Sequence, residues 1–240
     1  MYLFAVHISD GVLATPFWAA GFVVAGVLLL LALSGIEEDE IPRIGLLTAA
    51  FFVASSIHVK IPPTSAHLVL NALVGVVLGG RAPLAVAVGL LLQAALLAHG
   101  GFTTLGVNTV VISLPALLAG PLFRFLAGRR GLPGRRRAFW AGAVTGFGAV
   151  VLTATLNAVV LITGGVEDWT IIAAPQFAVY LVLGVIEGVI LGVTAEYLRR
   201  VKPELLNLRR TANGAAGANS TPAAPADGEQ LTSSRSRTGS

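Results

Sequence analysis

The sequence contains no cysteine and few charged residues, and each scarcity narrows what the protein can be. Without cysteine, the chain has no disulfides, no thiolate metal sites and no cysteine nucleophile. Charged residues make up 12% of the sequence and hydrophobic residues 55%. Because soluble domains carry about 25% charged residues, this chain is too apolar to be one. Its composition predicts a protein whose solvent is lipid.

Several enzyme signatures are also missing. The sequence has no H-E-x-x-H zinc-protease pattern, no G-x-S-x-G nucleophile elbow and no G-x-x-x-x-G-K-[ST] phosphate loop. The chain therefore has no visible means of hydrolysing ATP, and energy for uphill transport must enter from a partner or an ion gradient. The net charge of +4 does not indicate a nucleic-acid partner, because almost all charges lie between or after the apolar segments. These absences predict a protein without catalytic residues, not an enzyme.

Seven apolar segments predict an all-α membrane protein with about seven transmembrane helices. Their expected ranges are 17–34, 43–57, 66–78, 82–98, 105–126, 138–163 and 171–199. As helices, the second and third would reach only about 20–22 Å, against a hydrocarbon core of about 30 Å. The stretch that joins them is polar and contains two prolines. Short or broken spans of this kind indicate a transporter's binding site.

The basic residues set the orientation of this topology. Near the seven segments, Lys60 is the only basic residue that does not fall on one common side. Positive charge marks the cytoplasmic side, so the N-terminus is predicted outside and the C-terminus inside, in the cell (inner) membrane. We expect an extracytoplasmic metal-binding segment over residues 1–16 and a seven-helix domain over 17–206. Residues 207–240 are predicted to form a disordered cytoplasmic tail, because their small polar residues bury too little surface to fold.

Four histidines offer candidate metal ligands, and all fall at or near the predicted outer face: His7, His58, His67 and His99. Imidazole suits nickel, cobalt, copper and zinc, whereas magnesium and calcium prefer oxygen ligands. Thr64 or Ser65 is expected to cap the third helix and to place His67 on its first turn. Asn71 would then lie one turn later on the same face, where it would orient a ligand. The alternative for each histidine is an interfacial side chain satisfied by water or backbone.

Glu187 is the one carboxylate deep in an apolar segment. Ionisable groups within a membrane are costly, which makes this residue a functional hypothesis. The alternative is a protonated or hydrogen-bonded group that fixes helix packing. Small residues spaced four apart predict close helix contacts at Gly75/Gly79, Gly142/Gly146 and Gly184/Gly188/Gly192.

Four segments in register carry a family resemblance. They are H-I-S-D-G-V-L at 7–13, T-S-A-H-L at 64–68, G-G-F-T-T-L-G-V-N at 100–108, and V-I-E-G-V-I at 185–190 followed by R-R-V-K-P-E at 199–204. With these motifs the chain resembles the CbiM/NikM family from about residue 7 to residue 206. The resemblance implies the capture subunit of an energy-coupling factor importer, which binds Co(II) for cobalamin synthesis or Ni(II). It also implies a transmembrane coupling subunit and ATPase subunits as partners, and no permanent cofactor.

The resemblance further implies a ligand set. In the family the mature chain begins Met-His, and the metal is held by the terminal amine, the backbone nitrogen and ring of that histidine, and the T-S-x-H-L histidine. Carried over, the ligands are His7 and His67. Here six residues precede His7, which displaces the amine. Three accounts are open: initiation at Val6, cleavage just before Val6, or other ligands such as His58 or His99, with Asn108 as a further supporting or alternative group.

Three rival functions remain open at this level. A vitamin-specific capture subunit of the same importer class would need an aromatic-lined cavity, yet aromatic residues make up only 7% of the chain. A stand-alone secondary metal carrier would use Glu187 for proton coupling. A purely structural membrane subunit would bind no metal.

Overall fold

The computed structural model describes residues 7–57, 59–61, 64–128, 132–167, 170–206 and 208. Over these ranges the chain is almost entirely helical, with one short antiparallel hairpin formed by β1 (Val59–Ile61) and β2 (Thr64–Ala66). The described α-helices are α1 (Thr15–Leu33), α2 (Ile41–Ser56), α3 (Asn71–Leu78), α4 (Ala82–Leu97), α5 (Leu105–Ala127), α6 (Arg135–Gly164) and α7 (Thr170–Val201). The predicted all-α class is therefore confirmed, apart from the hairpin.

Six of these helices begin and end within three residues of the predicted ranges, whereas the third does not. α3 begins at Asn71, five residues later than expected. Thr64 and Ser65 lie in β2 and do not cap a helix. Leu70, immediately before α3, has a left-handed backbone (φ 50°), which a helix starting earlier could not contain. His67 therefore lies in an extended segment before α3, and the prediction that it occupies a first helical turn is wrong.

The helices run alternately toward and away from the end of the bundle that carries His7. The backbone N–H of Ala14, just before α1, donates to the carbonyl of Gly164 at the end of α6 (2.9 Å). α3 runs parallel to α5, because Asn71 bonds to Ile112 and the backbone of Gly75 lies against Ala116 further along. α4 then returns toward His99. The chain thus reverses between α3 and α4, at the 3-10 turn Gly79–Arg81.

Among the residues that the structure describes, five helical segments are long and apolar enough to cross a membrane: Thr15–Leu33, Asn71–Leu97, Leu105–Ala127, Arg135–Gly164 and Gln176–Val201. The second of these contains the reversal between α3 and α4. Large apolar side chains on the outside of the bundle, such as Val23, Leu30 and Leu46, are about 70% exposed. Surfaces of this kind are stable in lipid rather than in water. The protein is a multi-pass membrane protein.

Glycines bring α6 and α7 into close contact. A Cβ added at Gly146 would lie 2.9 Å from the carbonyl oxygen of Glu187, and one added at Gly142 would lie 2.7 Å from that of Leu191. On the opposing helix, a Cβ at Gly188 would lie 2.6 Å from the carbonyl oxygen of Ala143. The small-residue prediction is confirmed for this pair of helices. Their backbones approach so closely that the pair forms a stiff part of the bundle.

Arg81 holds the opposite end of the bundle together. Its guanidinium donates to the carbonyls of Ala32, Ser34 and Gly35 at the end of α1, and it pairs with Glu40 (2.9 Å). The hydrogen bond from Arg81 Nε to the Glu40 carboxylate (3.1 Å) is the main reason why the pKa of Glu40 lies below its usual value. A cation at a helix C-terminus also complements the helix dipole. One side chain therefore joins α1, α2 and α4.

Candidate metal site

Three of the four histidines converge at one end of the bundle. The ring centroids of His7 and His67 are 4.8 Å apart, those of His7 and His99 are 4.9 Å apart, and those of His67 and His99 are 5.5 Å apart. One ligand nitrogen from each residue lies within 4.8 Å of the others. His7 and His67 are buried (3% and 2% exposed), and His99 is half-buried. His58, the fourth predicted histidine, lies outside the described residues.

The spacing of the three rings is close to that of imidazoles around one ion. A ligating imidazole nitrogen lies about 2.0–2.1 Å from a zinc-like ion, so two rings bound at about 100° have centroids about 5 Å apart. The three measured separations, 4.8, 4.9 and 5.5 Å, are close to this value. Imidazole clusters of this type suit borderline transition metals.

His7 is positioned by the first turn of α5. The side-chain amide of Asn108 accepts the backbone N–H of Ile8 (2.9 Å) and donates to the carbonyl of Ile8 (2.9 Å). The Thr104 hydroxyl donates to the same carbonyl (2.5 Å). Both supporting side chains are buried, so both backbone groups of Ile8 have partners where water is excluded. The peptide that follows His7 is thereby fixed to α5.

Asp10 fixes the N-terminal segment, residues 7–14, to the loop before α5. Its carboxylate accepts the backbone N–H groups of Phe102 (3.1 Å) and Thr103 (2.8 Å) and the hydroxyl of Thr103 (2.5 Å). Burial raises the pKa of Asp10, but the hydrogen bonds from Thr103 and Phe102 outweigh it and hold the pKa below the usual 3.8. This contribution to stability is present above the unfolded pKa and is lost as pH falls through the folded pKa.

Backbone pairing joins the end of residues 7–14 to the residues that directly follow α6. Val166 donates its N–H to the carbonyl of Val12 (3.0 Å), and Leu13 pairs with Gly165. Ile8 and Leu13 also pack into an apolar cluster with Val107, Val111 and Leu161. Residues 7–14 are therefore held on two sides, by α5 and by α6, although they form no helix or strand of their own.

The His67 ring is oriented by its own backbone. Its Nδ1 lies 3.1 Å from the carbonyl of Leu68. A carbonyl only accepts, so Nδ1 carries the proton in this bond and Nε2 carries the ring's lone pair. Metal-ligating histidines are commonly oriented by such a bond from the second ring nitrogen to a carbonyl. This geometry makes His67 Nε2 the nitrogen suited to a metal.

Glu187 contacts the chain just after His67. Its two carboxylate oxygens accept the backbone N–H groups of Val69 and Leu70, the second at 3.0 Å. Glu187 is 2% exposed and Val69 is fully buried. Of the two predicted interpretations of Glu187, a coupling group or a hydrogen-bonded packing group, these contacts favour the second.

His99 follows a change of backbone direction at the end of α4. Ala98 has a left-handed conformation (φ 48°), and the N–H of His99 donates to the carbonyl of Gln93 (3.2 Å). The side chain of Gln93 in turn donates to the Ser55 hydroxyl on α2. Gly100 also has a positive φ (79°), which lets the chain turn from His99 toward α5.

Asn71, predicted to orient a ligand from the same helical face as His67, has a different position. It is the first residue of α3 and donates to the Thr153 hydroxyl (2.8 Å) and the carbonyl of Ile112 (3.4 Å). The prediction failed because His67 precedes the helix. Sequence reasoning also missed the supporting roles of Asp10, Thr104 and Gly101, although all three lie inside the quoted motifs.

Comparison with known proteins identifies the family. The model of the CbiM family, described as the cobalt uptake substrate-specific transmembrane region, matches residues 7–205. The chain belongs to the CbiM family. A metal transport protein of Haemophilus influenzae is 43% identical over 119 residues, which are 50% of this chain and 58% of that protein. The chain thus matches little more than half of the length of that relative.

Two further relatives of this CbiM-family chain match over most of it. The cobalt transport protein CbiM of Sorangium cellulosum is 30% identical over 225 residues, which cover 89% of this chain and 100% of that protein. A fused cobalt transport protein, CbiMQ, of Methanocorpusculum labreanum is 28% identical over 220 residues, which cover 83% of this chain and 36% of that protein. These relatives are transport proteins, in agreement with the prediction that the chain is not an enzyme.

A solved structure shares the fold of this CbiM-family chain. It is a truncated transition metal transporter, and it superposes with a TM-score of 0.70 over 81% of this chain and 99% of that one. The two chains are 22% identical. The likeness therefore concerns the fold alone.

Proposed function

We propose that this CbiM-family protein captures a divalent transition metal, Co(II) or Ni(II), for import across the membrane. The observation that carries the proposal is the convergence of the His7, His67 and His99 rings. His7 and His67 are the two ligands expected from the family resemblance. Membership in a family described by cobalt uptake, and relatives named as cobalt transport proteins, support cobalt as the substrate.

His99 is proposed as a third imidazole ligand. Its ring lies as near to His7 as that of His67 does, at 4.9 Å against 4.8 Å. Three imidazoles supply a donor set for a borderline metal that does not require a terminal amine. Among the accounts left open by the residues before His7, this convergence favours the one in which another side chain completes the site.

We further propose that the described helices cross the membrane seven times, with residues 1–16 outside and 207–240 in the cytoplasm. The basic residues before α4 and α6 and at the ends of α5 and α7 support this orientation, because they lie at the end of the bundle opposite His7. An excess of Lys and Arg is typical of the cytoplasmic side. The metal would then enter from outside.

The proposed partners are a transmembrane coupling subunit and ATPase subunits. The chain has no phosphate-loop motif, so hydrolysis of ATP must occur in another subunit. A relative named as a fused cobalt transport protein, CbiMQ, supports the pairing of a CbiM-like chain with a second component. This protein would present the captured ion to those partners.

Titration of the purified protein with Co(II) and with Ni(II), followed by bound-metal analysis, tests the proposal. We expect one tight equivalent in the parent. His7→Ala, His67→Ala and His99→Ala should each weaken it by more than the roughly 10–100-fold typical of an outer-shell change. Thr163→Ala is the control, because Thr163 is exposed at the end of α6 nearest residues 7–14. Its hydroxyl donates to the carbonyl of Val159 within the same helix.

The possible results distinguish a wrong assignment of the third ligand from a wrong assignment of the function. Parental affinity in His99→Ala alone would remove the third ligand and leave a site of His7 and His67. A folded parent that bound neither ion would overturn the metal-capture proposal. The titration also shows which of the two ions binds more tightly.

Metal affinity should fall steeply as pH drops below about 6, because imidazole ligates only when neutral and ordinarily titrates near pH 6.5. Asp10 does not contribute to this loss, since its pKa lies below 3.8 and its bonds to Thr103 persist at pH 5. Co(II) titrations between pH 5 and pH 8, with circular dichroism at each pH, measure the effect. Full affinity at pH 5 in a folded protein would contradict a histidine site.

A further inference from the structure

We propose that Glu187 is the positioning residue of the metal site: from α7 it holds the backbone that aims the His67 ring. The inference rests on the proposed function, because it concerns how one of the proposed ligands is oriented. It assigns Glu187 a role that does not require the side chain to carry a proton across the membrane.

The first step is the match between donors and acceptors. Two consecutive backbone N–H groups, those of Val69 and Leu70, each meet one oxygen of the Glu187 carboxylate. These peptides precede α3, so no helical carbonyl accepts their hydrogens. Val69 and Glu187 are buried and Leu70 is half-buried, and a buried N–H without an acceptor is unfavourable. The carboxylate supplies both acceptors at once.

The second step links the Glu187 clamp, the two hydrogen bonds from Val69 and Leu70 to its carboxylate, to the proposed ligand His67. His67 Nδ1 bonds to the carbonyl of Leu68, and the Leu68 carbonyl and the Val69 nitrogen belong to the same peptide group. Glu187 accepts the N–H of that peptide, while the His67 ring donates to its carbonyl. A peptide group is planar, so fixing its N–H also fixes the direction of its carbonyl. The orientation of the ring therefore depends on the carboxylate through a single rigid unit.

The third step concerns the conformation that the clamp maintains. Leu70 has φ 50°, a left-handed backbone that is unfavourable for a residue with a side chain. The N–H of Leu70 is one of the two that Glu187 holds, at 3.0 Å. The bond stabilises the bend that lets the chain pass from the extended His67 segment into α3.

The fourth step is the stiffness of the anchor. A Cβ added at Gly146 would lie only 2.9 Å from the carbonyl oxygen of Glu187. The next residue, Gly188, packs on the backbone of Ala143. The backbone at Glu187 is thus in close contact with α6. The carboxylate is therefore attached at a point where the packing of α6 holds the backbone of α7.

Glu187→Gln tests the inference. Glutamine is nearly isosteric but offers one acceptor and one NH₂ donor, so one backbone N–H must face a donor. We expect Co(II) to bind about 10–100-fold more weakly, with an altered visible absorption spectrum at saturation, because the His67 nitrogen is displaced. Gly192→Ala is the matched control: its Cβ would lie 2.8 Å from the carbonyl of Phe139, which disturbs the same helix pair without touching the His67 segment.

The readouts distinguish positioning from general destabilisation. Gly192→Ala should lower the thermal midpoint yet keep the parental Co(II) spectrum and affinity, whereas Glu187→Gln should change both. Parental spectrum and affinity in a folded Glu187→Gln protein would overturn the inference and leave the metal-capture proposal intact. A parent that bound no metal would overturn both.

A second measurement covers the case in which Glu187→Gln does not fold. Residue-resolved hydrogen exchange on the parent should find the amides of Val69 and Leu70 as slow as those in the middle of α3, although they lie outside any helix. Fast exchange at both amides would show that the carboxylate does not hold them, and would overturn the inference.

Discussion

Gly101→Ala is expected to abolish tight metal binding while the helical bundle stays folded. A Cβ at residue 101 would lie 2.5 Å from the backbone nitrogen of Asp10 and 2.6 Å from its Cγ. A backbone atom at this distance cannot move aside alone, so residues 7–14 must shift as a unit. His7 would leave the other two rings, and we expect a loss greater than about 100-fold, as for a ligand deletion. Co(II) titration with bound-metal analysis measures it.

The control for this variant is Gly26→Ala on α1, where an added Cβ meets nothing within 4 Å. It should bind metal like the parent. The thermal midpoint of Gly101→Ala should fall, but the bundle should stay folded because most of its apolar core lies between the helices. Parental Co(II) affinity in Gly101→Ala would mean that the anchoring of Asp10 does not position His7.

Gly75→Ala is expected to have the largest effect on folding. Its Cβ would overlap three backbone atoms of Ala116 on α5, with the Cα at 2.8 Å and the carbonyl carbon at 2.5 Å. Overpacking ordinarily costs about 1–3 kcal/mol. Here the overlapped atoms are helical backbone, so we expect a loss above about 3 kcal/mol in the free energy of unfolding. Thermal unfolding in detergent, followed by size-exclusion chromatography, measures the loss.

Gly45→Ala is the matched control, since residue 45 is also helical and its added Cβ has no neighbour within 4 Å. Alanine favours helix by about 1 kcal/mol over glycine, so this variant should be as stable as the parent or slightly more stable. If Gly75→Ala unfolded at the parental temperature, the close approach of α3 to α5 would be refuted.

The long helices were predictable because their signal is local. Apolar segments bounded by charges, prolines and glycines mark α1, α2 and α4–α7 to within three residues. The start of α3 was not predictable, because the first five residues of its expected range, 66–70, are apolar or neutral and are typical of a helix. There the N–H groups of Val69 and Leu70 are bound by a carboxylate on α7, 117 positions away from Leu70. No local pattern contains that information.

The candidate site was partly predictable for a similar reason. The topology predicted that the histidines share one side of the membrane, and the motifs singled out His7 and His67. That His99 lies within 5 Å of His7 depends on the turn at Ala98 and on α4 packing against α2, which are tertiary facts. In the same way, Gly75 was predicted to pack closely and does, whereas Gly79, its proposed partner, has φ 55° and serves the turn into α4.

The hydrogen bonds around residues 7–14 also imply an order of assembly. Ala14 bonds to Gly164, roughly 150 residues later, and synthesis at about 5–20 residues per second takes roughly 8–30 s to cover that distance. The hydrogen bonds from Val69 and Leu70 form later still, because they require Glu187 to have been synthesised. During this interval the first histidine has emerged from the ribosome, but the surface that will hold it does not exist. On the proposed assignment, the metal site therefore gains its full support only after α7 has been synthesised.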